Sequence, residues 1–307
     1  MKHSRRARRS RTQKKQLVPL LLGIALLVVT LLSIFLIFLK QPSKQQSDSK
    51  ALTVETTTTS SVMTSESSEV QTEIIWEQQT EPIKLPILMY HAIHVMAPEE
   101  EANANLIVDP TTFESHLKAL QDAGYYTLSP EEAYKVLTEN VLPAGKKVVW
   151  LTFDDSLWDF YSYAYPLLKQ YQMKATNNVI TGFTEYGQAG HLTLDQIKEM
   201  QTAGLSFQGH TVNHPDLEYS SIEDQTNELT SSKAYLDSQL NQETIAIAYP
   251  GGRYSADTVA LTEQAGYKLG LTTNNGLASL ADGLLSLNRV RILPTTTGDG
   301  LISEISH

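Results

Sequence analysis

Two adjacent carboxylates, Asp154 and Asp155, end the apolar, β-branched run Val148-Val149-Trp150-Leu151-Thr152-Phe153. Side by side they repel, so a metal cation or a shared proton is the usual way to stabilise them. A plainer role is open too, with Asp154 capping the next helix and Asp155 in solvent. Further on, His210-Thr211-Val212-Asn213-His214-Pro215 sets two histidines at i and i+4. At that spacing one helical turn aims both imidazoles at one metal, and Pro215 would end the turn. Two polar loop histidines are the bland alternative. Together, two His and one Asp give three N/O ligands with open positions, the pattern of a catalytic metal site. A water there would have its pKa lowered towards ~7, and the other Asp would accept its proton. The chain has no cysteine, so any metal must be held by His and carboxylate. His3, His94, His116, His191 and His307 have no partner at helical spacing and read as surface or structural.

The elements that must position these residues alternate between strand and helix. Pro86 to His91 reads as a strand ending in His91. Thr111 with Glu114 reads as a capping box for a helix to Ala123, and Tyr125–Leu128 as a strand. Ser129-Pro130-Glu131-Glu132 opens another helix, with Pro at its first position. The run Lys147–Phe153 is the strand carrying the acid pair. Trp158–Tyr171 reads as helix, kinked at Pro166. Strands follow at Lys174–Ile180, Leu205–Gly209, Thr244–Tyr249, Lys268–Thr272 and Arg289–Leu293, with helices at Thr193–Ala203, Ser221–Leu240 and Ser255–Ala265 between them. Such alternation predicts a mainly parallel α/β sheet, open or closed into a barrel. Working residues in those folds sit at the C-terminal ends of strands. His91, the Asp154–Asp155 pair, His210 and the Tyr249-Pro250-Gly251 turn all follow predicted strands, so four loops would converge on one mouth.

Composition bounds the class of function. The chain has 307 residues, 41% of them hydrophobic, enough for one large domain or two small ones. Residues 1–16 hold eight Lys and Arg and no acid, reading as a basic cytoplasmic tail. Residues 17–39 carry no charge and are long enough for a transmembrane helix at ~1.5 Å per residue. A cleaved signal peptide would have a shorter apolar run and a small-residue site; here the run meets Lys40-Gln41-Pro42 directly. The expectation is an uncleaved single-pass anchor in the cell membrane, with the N-terminus cytoplasmic and the bulk extracellular. Residues 40–84, rich in Ser and Thr, read as an extracellular linker, and 85–307 as the catalytic domain. The net charge is −10, so the chain beyond the basic tail carries −18, which argues against nucleic acid as a partner.

Thr152-Phe153-Asp154-Asp155-Ser156 followed by His210-Thr211-Val212-Asn213-His214-Pro215 resembles the polysaccharide deacetylase family, also called the NodB-homology domain or carbohydrate esterase family four. Tyr165-Pro166-Leu167-Leu168-Lys169-Gln170-Tyr171 and Leu194-Asp195-Gln196-Ile197-Lys198-Glu199-Met200 fit the same pattern, and the likeness runs from about Leu85 to the C-terminus. It implies a distorted (β/α) barrel with fewer than eight regular strands. Asp155, His210 and His214 would bind Zn2+ or a similar divalent ion, and Asp154 would be the general base. The Tyr249, Pro250 and Gly251 segment would line the groove and offer a backbone N–H to the oxyanion. The reaction would be hydrolysis of N-acetyl groups on a polymer of N-acetylglucosamine, exopolysaccharide or peptidoglycan, with release of acetate.

The departures from the family are informative. Its C-terminal Leu-x-His is absent, because the matching stretch reads Leu287-Asn288-Arg289-Val290-Arg291-Ile292. Pro86-Ile87-Leu88-Met89-Tyr90-His91 resembles instead the branch acting on poly-β-1,6-N-acetylglucosamine, which makes His91 the expected general acid. Ser156 replaces a Gly, a residue that tolerates a tighter turn. Asn177-Asn178 replaces a more apolar pair. Ala248 and Tyr249 stand where an Arg usually orients the base, leaving Arg253, Arg289 and Arg291 as candidates for its work. Two other functions fit the same residues: a catalytically weak or silent surface protein that binds glycans through the groove, and an O-acetyl esterase.

Overall fold

The computed structural model describes residues 74–306. The basic tail, the 17–39 segment and most of the expected linker lie outside the described residues. Among the described residues no helix is long and apolar enough to cross a membrane.

Among the described residues twelve strands follow in chain order: β1 (Trp76–Gln78), β2 (Ile87–Tyr90), β3 (Ala92–Ile93), β4 (Ile107–Val108), β5 (Tyr125–Thr127), β6 (Val141–Pro143), β7 (Lys147–Phe153), β8 (Thr176–Val179), β9 (Ser206–Gly209), β10 (Ala246–Ala248), β11 (Leu269–Asn275) and β12 (Leu287–Arg291). From β7 each of β8 to β12 pairs in parallel with the next, β12 pairs with β2, and β2 with β7. The ring closes at seven strands, so this barrel leaves its own members no free edge. β7 is long enough to serve three partners: Lys147–Val149 pair with β5, Trp150–Phe153 with β2, and Thr152–Phe153 with β8.

Strand alternation divides the core. Val148 and Trp150 join Ile87, Ala246, Ala248, Leu269, Leu271 and Leu287 in the cluster that fills the barrel. Val149, Leu151 and Phe153 face the other way, against Phe113 and Leu117 of the helix Pro110–Asp122, Phe160, and Ile197 and Met200 of the helix Leu194–Thr202. By the same alternation Thr152 and Asp154 continue the inner row. The acid pair thus begins where the apolar filling ends.

Local signals held where partners are close in sequence. Ser129 and Thr193 each make the expected capping box, and Ser221 caps Ile222–Leu240. Three differences have physical causes. The helix at 110 is capped by Asp109, whose carboxylate accepts from Thr111 N–H at 2.8 Å, with Pro110 in the first position; the Thr111–Glu114 box does not form. Between Trp158 and Tyr171 the chain forms a π-turn over Phe160–Ala164 before the α-helix Tyr165–Gln170. Pro166 has no N–H for the carbonyl four residues back, and the turn before it widens, with Tyr165 N–H bonding Phe160 O. Finally, residues 76–78, assigned to the linker, form β1 antiparallel to β6, so ordered pairing starts ahead of Leu85.

Candidate active site

The four strand ends do converge. β7 finishes with Asp154 N–H bonding Tyr90 O at 3.0 Å, which places Asp154 beside the end of β2 and His91. The chain then turns through two residues of positive φ, Asp155 (73°) and Ser156 (49°). Ser156 therefore takes the conformation a Gly would take more freely. Its strain is offset locally: Ile180 N–H donates to Ser156 Oγ at 3.3 Å, and Leu192 N–H to Ser156 O at 2.8 Å. His191, read as structural, donates from Nδ1 to Asp155 O at 3.1 Å and pins the same turn.

Asp154 is buried and held by three side-chain donors. Arg289 of β12 is fully buried and grips it with both arms of its guanidinium, Nη1 to Oδ1 at 2.9 Å and Nη2 to Oδ2 at 2.7 Å. Asn178 of β8 donates to Oδ1 at 2.7 Å. The guanidinium is itself fixed by Nε to Thr272 O at 2.7 Å and Nη1 to Thr152 Oγ1 at 3.2 Å. Of the three arginines open in the sequence, Arg289 takes the work, whereas Arg253 pairs with Asp216 at the surface. Asn178, a departure from the family pattern, is thus one of the hydrogen-bond donors that hold Asp154. Burial alone would raise the Asp154 pKa; the Arg289 charge and bonds outweigh it, aided by His210 and His91, and hold the carboxyl well below the usual carboxylate range.

Asp155, His210 and His214 face one another. His210 Nε2 lies 3.2 Å and His214 Nε2 3.5 Å from Asp155 Oδ1, and all three donor atoms sit within 4.8 Å of each other. His210 is buried, and its Nδ1–H donates to Ala248 O at 2.7 Å, which directs Nε2 towards Asp155. Burial opposes the His210 charge, but the bond to Asp155 and both carboxylates raise its pKa; His214, desolvated and beside His210, is lowered. The same donor set suits a divalent ion of borderline softness: two imidazole nitrogens and one carboxylate oxygen, partly open to solvent.

The expected helical turn at His210–His214 is absent. The segment is a loop with Thr211 (65°) and His214 (57°) at positive φ. It is clamped from two sides. Thr181 N–H and Gly182 N–H donate to Thr211 O and Val212 O at 3.0 and 2.9 Å. A Cβ on Gly182 would stand 2.7 Å from Val212 O, so only glycine lets the two backbones meet. Opposite, Glu228 of the helix Ile222–Leu240 accepts from Val212 N–H (2.7 Å), Asn213 N–H (2.9 Å) and Asn213 Nδ2 (2.6 Å). Glu228 carried no signal in the sequence, because its partners are fifteen and sixteen residues away.

His91 Nε2 stands 4.0 Å from Asp154 Oδ2. Its pKa is lowered by burial, against the pull of Asp154 and Asp155. The Tyr249–Gly251 segment is narrower in use than expected. Tyr249 turns its ring into the layer outside the barrel, its hydroxyl donating to Leu285 O at 2.9 Å with the pKa pushed up to about 12 by burial. Tyr249 N–H is spent on Leu271 O, and Pro250 has none. Gly251, at φ 59°, is the member of the three whose N–H is not committed to the ladder or the turn.

The polysaccharide deacetylase family model matches residues 141–270, a span containing the acid pair and both histidines. The Streptococcus pyogenes deacetylase PplD, solved in complex with acetate, is 62% identical and superposes with a TM-score of 0.72 over 74% of this chain and 100% of that one. YxkH of Bacillus subtilis is 37% identical over 73% of this chain and 76% of its own length. The chain belongs to the polysaccharide deacetylase family. It is therefore a hydrolase of carbon–nitrogen bonds other than peptide bonds, an N-deacetylase. The poly-β-1,6-N-acetyl-D-glucosamine N-deacetylase of Staphylococcus aureus is 38% identical over a shorter stretch, 35% of this chain and 38% of that protein. Enzymes of the family are metal-dependent, and the Asp155, His210 and His214 set is where the residues of this chain fit an ion.

Proposed function

We propose that this deacetylase acts with a divalent metal, Zn2+ by the chemistry of its ligands, on N-acetylglucosamine polymers at the cell surface. The observation carrying this reading is one mouth where the three-ligand cluster, a carboxylate pinned by Arg289 and the half-buried His91 lie together. Asp155, His210 and His214 would hold the ion. When bound, it supplies Lewis acidity to the amide carbonyl and to the attacking water.

The chain's own groups divide the proton traffic. Asp154 stays ionised at neutral pH and accepts the proton of the water whose oxygen bonds the acetyl carbon. Gly251 N–H, committed to no backbone carbonyl, would donate to the developing oxyanion. As the C–N bond breaks, His91, whose lowered pKa leaves it neutral at rest, takes up the proton released from the water by way of Asp154, 4.0 Å away, and hands it to the leaving amine, so acetate and a glucosamine residue result. The S. aureus relative's name supports poly-N-acetylglucosamine as substrate class. The uncharged 17–39 run, behind eight basic residues, supports a membrane anchor with the domain outside.

Purified residues 70–307 should contain about one equivalent of metal and release acetate from β-1,4- or β-1,6-linked N-acetylglucosamine oligomers. Asp154→Asn should abolish release while metal stays bound. Metal without release, and glycan affinity unaltered by Asp154→Asn, would make the protein a glycan binder instead. Release from O-acetylated sugars alone would make it an esterase.

A further inference from the structure

A cavity of about 470 Å³ opens beside the reaction centre, with His91 and Asp155 in its wall. An acetyl group fills only part of that space, since a water-sized group takes ~30 Å³. The volume lies in the range of pockets that bury a ligand of drug size, ~300–1,000 Å³. Its remaining lining includes Trp158, Glu100, Asn103 and His191. Trp158 is the unexpected member. It is three residues past Asp155 and 44% exposed, although tryptophan is among the most expensive side chains to leave in water.

The indole is held in place. Its backbone N–H donates to Gly190 O at 3.1 Å. The His94 ring stacks near it at 6.1 Å and 23°, and Tyr163 meets it edge-on at 5.9 Å. His94 is fixed in turn, Nδ1 to Asp159 Oδ2 at 2.6 Å and Nε2 to Glu100 Oε2 at 3.1 Å, while Asp159 Oδ2 also accepts from Ile93 N–H at 2.9 Å. These bonds tie the 94–106 wall of the cavity to the turn that carries Asp155. An exposed aromatic face this well anchored pays little entropy on binding. Beside it stand polar groups able to meet hydroxyls: the Asn103 amide, the Glu100 carboxylate and His191. A pyranose ring has this double character, with flat C–H faces and a hydroxylated edge.

We propose that this cavity is the subsite for the hexosamine next to the one being deacetylated, with Trp158 as its stacking platform. The enzyme thereby selects a β-linked chain over a single sugar. The inference rests on the deacetylase reading above. Its site is contiguous with His91 and Asp155, so a residue linked to the reacting sugar enters without a new path.

The test compares the metal-loaded wild type with Trp158→Ala and Trp158→Phe on N-acetylglucosamine monomer to hexamer and on an aryl acetate, which needs no sugar subsite. Trp158→Ala should lose about tenfold in kcat/KM on the tetramer, mostly in KM, as expected for one aromatic stack of ~1.5 kcal/mol. The loss on aryl acetate should be at least fivefold smaller, and Trp158→Phe should recover most of the tetramer activity. Equal losses on tetramer and aryl acetate, or no loss on the tetramer, would overturn the subsite. If the wild type releases acetate from no glycan, the deacetylase reading fails separately. The subsite is then read by fluorescence: tetramer should quench the wild type and not Trp158→Phe, and absence of quenching in both rejects it.

Discussion

Arg289 reaches Asp154 across the barrel mouth, with β2 between their strands. The family's usual arginine would stand at Ala248 or Tyr249, and this chain grips Asp154 with a guanidinium from β12 instead. The gap in a motif and three candidates to fill it, Arg253, Arg289 and Arg291, were legible in the sequence; the choice among them was not, because 135 residues separate Arg289 from Asp154. Arg289→Met should leave a buried carboxylate without its cation. The expected cost is ~3–5 kcal/mol, a fall of roughly 10 °C in melting temperature, measured by calorimetry. Arg289→Lys keeps charge but loses the fork, and kcat should drop about 10–100-fold with smaller loss of stability. Full activity in Arg289→Lys would show that charge alone positions the base. His94 gives a pH dependence. Burial disfavours its charge, yet the bonds to Asp159 and Glu100 win and raise its pKa. A raised folded value means stabilisation fully present below the unfolded value of ~6.5 and lost as pH rises through the folded one. The melting-temperature gap between wild type and His94→Gln should therefore be wider at pH 6 than at pH 9. A constant gap would assign His94 to packing against Trp158 alone.

At the scale of elements, the strands and most helix starts were readable because their signals are local. Ser129, Thr193 and Ser221 cap what they precede, and the alternation of Lys147–Phe153 fixes which side faces the barrel. The loop His210–Pro215 departs from its local signal for the opposite reason. Its i, i+4 spacing suggests a helical turn, but its shape is set by Thr181, Gly182 and Glu228 from other elements. The histidines still meet, since strand β9 fixes His210 and the clamp fixes His214. Glu228 should thus govern the metal without touching it. Glu228→Ala is expected to weaken metal affinity ~10–100-fold, the usual cost of removing a support of a ligand, as read by competition with a chromophoric chelator. Saturating metal should restore most of kcat. An affinity within twofold of wild type would show that Thr181 and Gly182 suffice to hold the loop.

The barrel as a whole keeps its mouth apart from the strand pair that opens the described residues. Its mouth carries the reactive groups, whereas β1 and β6 lie at the approach to the N-terminal end of β7, away from them. The Ser/Thr-rich texture suggested a linker up to residue 84, because β1 is only three residues long and its alternation is too brief to read. Asn140 shows what the sequence hid. At φ 54° it ends the helix Pro130–Glu139, and its Nδ2 donates to Gln79 O at 2.9 Å and Glu81 O at 3.2 Å while its Oδ1 accepts from Ile83 N–H at 3.0 Å. Gln79 N–H bonds Asn140 O at 2.9 Å, and Ala144 N–H bonds Ile75 O at 2.9 Å. Trp76 adds a face to Lys135 at 5.1 Å. Two truncated chains test whether this is fold or tether. One beginning at residue 70 should keep the full chain's domain stability and kcat. One beginning at residue 84 loses these bonds, each worth ~1 kcal/mol net. It should melt several degrees lower, at roughly 2–4 °C per kcal/mol, with kcat unchanged at temperatures where it stays folded, because the mouth is untouched. Equal melting temperatures would return residues 74–83 to the linker. A loss of kcat in the shorter chain below its transition would mean that the far end of the barrel sets the geometry of Asp154 and Asp155.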